Sequence, residues 1–229
     1  MTINYFLIFR KTIEIIQKKF FIFLISVCAL IFFSEALSLI SPKISWNFFS
    51  SEVGEHFHGN QVLLSMILIV IGSVIQNIIT VISSIYIVLF SKAYSRLHLL
   101  FVKKLLPLVG IVVIKFFVCY IGTMLFIIPG YVMMVLLIFA EFYLILGNLN
   151  VKNSIIHSVN LGKKYFKNLF MIIMGVDVFS ILIIFLLQNS FLQKILGIII
   201  YIALGLFVKV YFLLFYFIEE RDKNIFTNY

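Results

Sequence analysis

Six stretches of this chain are apolar and long enough to cross a lipid bilayer, and no other feature limits its fold as strongly. A helix needs about 20 residues, at about 1.5 Å of rise each, to span the hydrocarbon core. The stretches run over 20–41, 62–90, 105–127, 131–148, 168–188 and 195–217, more than half of the sequence. Barrel strands would alternate apolar and polar residues over roughly ten positions, and these runs do not alternate. The expected fold class is therefore all-α, a polytopic helical membrane bundle of about six transmembrane helices. The second stretch is overlong, which predicts tilting or protrusion. The fourth, 131–148, is the weakest span, because it is short and carries a Glu. No linker, low-complexity tract or second domain interrupts the pattern, so 1–229 reads as a single integral membrane domain.

Composition agrees. The chain is 63% hydrophobic and 12% charged with a mean hydropathy of +1.18, where a soluble domain would be roughly 45–50% apolar and about a quarter charged. Disorder, a collagen-like fibre, a disulfide-stapled module and an ordinary cytosolic enzyme are all excluded on these grounds. The net charge of +9 is the odd companion.

Sorting that charge by side explains it. With the N-terminus inside, the cytoplasmic segments hold fourteen of the eighteen basic residues, and the outer segments hold only Lys43 and Lys194. Such a split over short loops is a positive-inside signal. It predicts that both termini are cytoplasmic. No basic groove or recognition motif stands apart from these loop ends, so nucleic acid is not an expected partner. The first stretch reads as a retained anchor rather than a cleaved signal, since a long segment containing Glu14 precedes it and no small-residue cleavage site ends it. Cys28 and Cys119 fall inside spans and read as packing residues.

Three cytoplasmic segments have interfacial character. In 150–167, Ile155, Val159, Gly162 and Phe166 share one helical stripe, with Lys163, Lys164 and Lys167 beside it. Such a helix either rests among anionic lipid headgroups or packs its stripe on the bundle. Segments 1–19 and 91–104 are similar but less clean. The expected partners are the lipid bilayer and anionic headgroups at these basic segments.

The residues that lipid should exclude are Glu35, Lys115, Glu141, Asp177 and Lys209. A central charge costs at least about 2.5–3.5 kcal/mol on insertion scales, so these side chains are expected to face protein. Depth arithmetic on neighbouring antiparallel helices pairs Lys115 with Glu141, and Asp177 with Lys209. Either the pairs fix helix register, or they line a path for an ion or small solute. Ser73, Gln76, Asn77, Thr80, Ser83 and Ser84 supply the polar groups that a path would need. A dry, packed centre favours the first reading, and a water-filled cavity lined by Lys115, Glu141, Asp177 and Lys209 favours the second. Glu35 lies near the outer end of its span without an obvious partner.

Other signals are weaker. Glu52, Glu55, His56 and His58 share an outer loop and have donor types suited to Zn or Cu, but His-x-His in a loop is common by chance. No catalytic, cofactor or metal site is expected: the chain lacks HExxH, a phosphate loop and a dinucleotide fingerprint in context. No two glycines are four residues apart, so a GxxxG dimer face is absent.

One region resembles a known family. Leu125-Phe-Ile-Ile-Pro129-Gly130-Tyr131 turns span three into span four. An apolar helix with Leu136 and Phe139 follows, then the basic amphipathic Ser154-Ile-Ile-His-Ser158-Val-Asn-Leu161. This is similar to the YciC-type family of uncharacterised bacterial inner-membrane proteins, and more distantly to the membrane domain found beside some glycerophosphodiester phosphodiesterases. The resemblance covers about 125–168. It implies a six-span inner-membrane protein and supplies no catalytic residues. The sequence thus points first to an envelope or bilayer-associated structural or interaction role without enzymatic chemistry, and second to a small-solute or ion transporter built on Lys115, Glu141, Asp177 and Lys209.

Overall fold

The computed structural model describes residues 5–40, 59–89, 94–187 and 191–221, and all of its regular structure there is helical. Nine helices follow in order among the described residues: α1 (Tyr5–Lys18), α2 (Phe20–Ile40), α3 (Gly59–Leu89), α4 (Tyr94–Leu125), α5 (Ile127–Leu137), α6 (Ala140–Ile145), α7 (Val151–Lys164), α8 (Phe166–Leu186) and α9 (Phe191–Arg221). Five segments are long and apolar enough to cross a membrane, namely Val70–Leu89, Val102–Thr123, Ile127–Ile145, Phe166–Ile183 and Leu196–Glu219. A sixth is reached if α1 and α2, which meet at 88°, count as one. The chain is a multi-pass helical membrane protein. Its lipid-facing surface is correspondingly apolar, with Phe32, Leu106, Phe126 and Phe185 all strongly exposed. The outer loop with Glu52, Glu55, His56 and His58 lies outside the described residues, as does the side chain of Glu35.

Helix α1 is amphipathic. Ile8 and Thr12 are buried, and Phe6, Leu7 and Phe9 are exposed beside Arg10 and Lys11. Lys19, at the bend, donates to the Val88 carbonyl at 3.2 Å and fastens the corner to the end of α3.

The hairpin of α4 and α5 departs in detail from expectation. The reversal falls at Phe126, which has extended backbone (φ −159°, ψ 135°), rather than at Pro129-Gly130. Pro129 sits in the first turn of α5, where a missing N–H is harmless. Gly130 lets the helices touch: a Cβ there would lie 2.7 Å from the Thr123 nitrogen, and one on Gly122 would lie 2.9 Å from the Gly130 Cα.

The span expected over 131–148 is present as Ile127–Ile145, with a two-residue turn at Ile138 and Phe139 that separates α5 from the six-residue α6. The turn leaves backbone groups without helical partners, and Ser158 of α7 takes up two of them. Its hydroxyl donates to the Leu136 carbonyl at 2.7 Å and accepts from the Phe139 N–H at 3.2 Å. Such groups need partners when water is absent. Helix α7 can approach this closely because Gly162 faces α5, where a Cβ would stand 2.9 Å from both the Leu136 Cα and the Val135 oxygen. The buried face of α7 is thus Ser154, Ser158, Leu161 and Gly162, with Ile155 and Val159 at its edge. Its lysines 152, 163 and 164 are exposed.

Between α6 and α7 the chain turns through Asn148, whose φ of 49° lies in the left-handed region that asparagine tolerates. Asn150 caps α7 by accepting from the Asn153 N–H at 2.9 Å. Lys104 of α4 donates to the Leu149 carbonyl at 3.1 Å and holds this turn in place.

Candidate functional site: an intramembrane charge cluster and polar cavity

Every residue of α6 is buried. It lies against α4 and α7, and its aromatics, with Phe139 just before it, meet those of α9. Phe139 packs edge-on to Phe212 and stacks on Phe215, and Tyr143 packs edge-on to Tyr216. Into this dry surround α6 carries a carboxylate, Glu141, in its first turn. Negative charge there is favoured by the helix dipole, but the dipole alone does not offset desolvation.

Two lysines do. Lys115 of α4 places its Nζ 2.9 Å from Glu141 Oε1, and Lys209 of α9 places its Nζ 2.9 Å from Oε2. Each carboxylate oxygen therefore receives one charge-assisted hydrogen bond. The Glu141 side chain is 0% exposed, while those of Lys115 and Lys209 are 11% and 13% exposed. Lys209 also stands 5.9 Å from the centre of the Phe142 ring. One carboxylate shared by two ammonium groups leaves the cluster with one positive charge in excess.

The expected pairing of Lys115 with Glu141 is present. That of Asp177 with Lys209 is not, because Lys209 turns to Glu141 instead. Both lysines reach one carboxylate because Glu141 sits on a fully buried segment that packs against α4 and meets the aromatics of α9. Asp177 of α8 forms no ion pair among the described residues, and its carboxylate lies beside the hydroxyl of Tyr131.

Three of the four expected residues nonetheless share one half-open cavity of about 350 Å³. Three helices contribute stripes at helical spacing. From α3 come Ser73, Gln76, Asn77 and Thr80; from α8, Ile173, Val176, Asp177 and Ser180; from α9, Tyr201, Gly205, Val208, Lys209 and Phe212. Leu30 of α2, Lys115 of α4, Met134 of α5 and Ile138 just after it complete the wall. Glu141 is not on that wall, whereas both of its lysines are. Lys209 is ten residues from Glu219 at the end of its span, and Asp177 eleven from Phe166, so both lie about 15–17 Å deep, near the membrane midplane. Gly205 opens directly on the space: nothing lies within 4 Å of where its Cβ would be.

The polar stripe of α3 was legible in the sequence. Tyr131, Ser180, Tyr201 and Gly205 were not singled out, although Ser180 follows Asp177 by three residues and Gly205 precedes Lys209 by four. Polar or small residues one turn from an intramembrane charge were the available signal.

A second polar cluster closes the end of the bundle that carries α7. Lys164 pairs with Glu219 of α9, and the Tyr165 hydroxyl donates to the other Glu219 oxygen at 2.7 Å. The Glu219 carboxylate holds the Lys164 ammonium above its ordinary pKa. The Tyr165 hydroxyl is also raised, first by burial and then by the carboxylate it donates to.

No family model matches the chain, and no curated protein or solved structure does either. The resemblance to the YciC-type family accordingly rests on the sequence of residues 125–168 alone.

Proposed function

We propose that the protein binds a small polar solute inside the membrane and carries it across, using the cavity between α3, α8 and α9. The observation that supports this over a purely structural role is the coincidence of two features: Lys115, Asp177 and Lys209 line one cavity, and one face of α3 supplies uncharged polar groups to it. Secondary transporters hold their substrates near the bilayer midplane between helices. Paired charges that served register alone would need no cavity beside them. In this reading the Glu141 cluster both holds α4, α6 and α9 together and presents ammonium groups to the solute. The protein has no enzymatic step. It resides in a bacterial inner membrane with both termini cytoplasmic, in line with the placement of its basic residues and the resemblance to YciC-type proteins.

The test is access of water-borne reagents to the cavity. In a Cys28→Ser, Cys119→Ser background, Asn77→Cys and Ser180→Cys are exposed to a charged, membrane-impermeant thiol reagent in right-side-out and inverted vesicles. Reaction from both sides is expected, and adding Gly205→Leu, which fills the cavity without meeting backbone, should slow it. Reaction only with a lipid-permeant maleimide would refute the carrier reading.

A second role is compatible with the first and is favoured by α1. Its exposed Phe6, Leu7 and Phe9 adjoin Arg10 and Lys11, the composition of a helix lying on an anionic headgroup layer. Replacing Arg10 and Lys11 by Gln should reduce the anionic lipid retained on purification. Unchanged retention would remove this role.

A further inference from the structure

We infer that the solute is a small zwitterion, with an anionic group and an ammonium group on one compact body. This deepens the carrier reading above and rests on it. The cavity has two poles. At one, Lys115 and Lys209 line the wall and share the single carboxylate of Glu141, so the face they present carries an uncompensated positive charge. At the other, Asp177 lines the wall with a phenol beside it and no cationic partner among the described residues. Between them the α3 stripe offers the neutral amide of Asn77 as donor and acceptor, and Thr80, whose hydroxyl donates to the Gln76 carbonyl, as an acceptor.

The poles do not neutralise each other directly, because Lys209 is committed to Glu141 at 2.9 Å. A simple anion would satisfy the lysines but meet Asp177 unpaired. A simple cation would satisfy Asp177 and meet the lysine face. A dipolar solute pairs both ends and leaves the cavity's net charge unchanged, which is the favourable state at the midplane of a bilayer. The volume of about 350 Å³ suits a molecule of amino-acid size rather than a nucleotide or lipid.

Three matched sets of probes test this on the full-length protein in lipid nanodiscs. Each set holds a zwitterion and its two single-charge analogues: alanine with propionate and ethylamine, leucine with 4-methylpentanoate and 3-methylbutylamine, and 4-aminobutyrate with butyrate and propylamine. Binding is read as a rise in melting temperature and as Kd by calorimetry. At least one zwitterion is expected to bind about tenfold or more tightly than either of its analogues, since a site built around a polar group rejects the molecule that lacks it. Asp177→Asn should abolish that preference by weakening the zwitterion toward its carboxylate analogue. Gly205→Leu should remove binding of all three while the protein still melts cooperatively. If a carboxylate or amine binds as tightly as its zwitterion, the solute class is wrong and the carrier reading stands. The same holds if no probe binds although Asn77→Cys reacts with impermeant reagent. If Asn77→Cys is unreactive, the carrier reading falls and this inference with it.

Discussion

Two carboxylates lie within the spans of this bundle, and the chain treats them in opposite ways. Glu141 is sealed among the aromatics of α6 and α9, with one ammonium on each oxygen. Asp177 stands on a cavity wall with a tyrosine beside it. A buried ion pair adds little net stability but is costly to break, because removing one partner strands the other. An acid left on a cavity without a cation is not explained by architecture. The difference divides the labour: Glu141 locks three helices together, and Asp177 is left available to a solute.

The sharpest way to break this comparison is to remove the lock. Glu141→Gln leaves two buried ammonium groups against one neutral amide and should destabilise the protein by about 3–5 kcal/mol, seen as a large fall in melting temperature and membrane yield. The triple change Glu141→Leu, Lys115→Met, Lys209→Met should recover most of that loss. Failure of the triple to recover would mean the cluster's charges do more than join helices.

Glycines sharpen the same contrast between closed and open regions. Gly162→Ala forces a Cβ against the α5 backbone and should cost about 1–3 kcal/mol by overpacking. Gly205→Ala projects into the cavity and should be neutral or slightly stabilising, as glycine is a poor helix former. Equal losses at the two sites, by thermal unfolding, would show that the cavity is closed.

Much of this was readable from the chain, and the rest was hidden for definite reasons. The helical class, the charged midplane residues and the Lys115–Glu141 pair follow from hydrophobic run length and depth counting. The turn at Ile138–Phe139 does not, because Leu136-Leu-Ile-Phe-Ala140 contains no proline or glycine to announce it. It is stabilised from a distance, by the Ser158 hydroxyl and the close approach at Gly162. The Lys209–Glu141 pair joins spans that are not sequence neighbours, which depth counting on adjacent spans does not reach. Likewise, the buried stripe of α7 runs through serines and glycine, which periodicity of large apolar residues does not register.

Asp177→Asn is expected to change stability by less than about 1 kcal/mol, since no ion pair is lost. A loss comparable to that of Glu141→Gln would give the two acids the same structural duty and collapse the distinction between them.

The smallest effect belongs to the Lys164–Tyr165–Glu219 cluster. Because the folded pKa of Lys164 is raised by Glu219, its stabilisation is complete below the ordinary lysine value and is lost as pH climbs through the raised one. The Tyr165 shift has the same sign. Lys164 is largely solvent-exposed, so the contribution should be at most about 1 kcal/mol. The melting temperature of the parent should exceed that of Glu219→Gln by a small constant margin at neutral and mildly alkaline pH. That margin should close only in strong alkali, and a margin that grew with pH would reverse the assignment.

The central claim is that one acid is sealed and the other is open to a cavity, and carboxyl modification of the unmutated protein tests it most directly. Treated in membranes with a water-soluble carbodiimide and an amine nucleophile, then mapped by mass spectrometry, Asp177 should be modified and Glu141 should not. Modification of Glu141 to the same extent, or protection of Asp177 from the water-soluble reagent but not from a lipid-soluble one, would contradict the account.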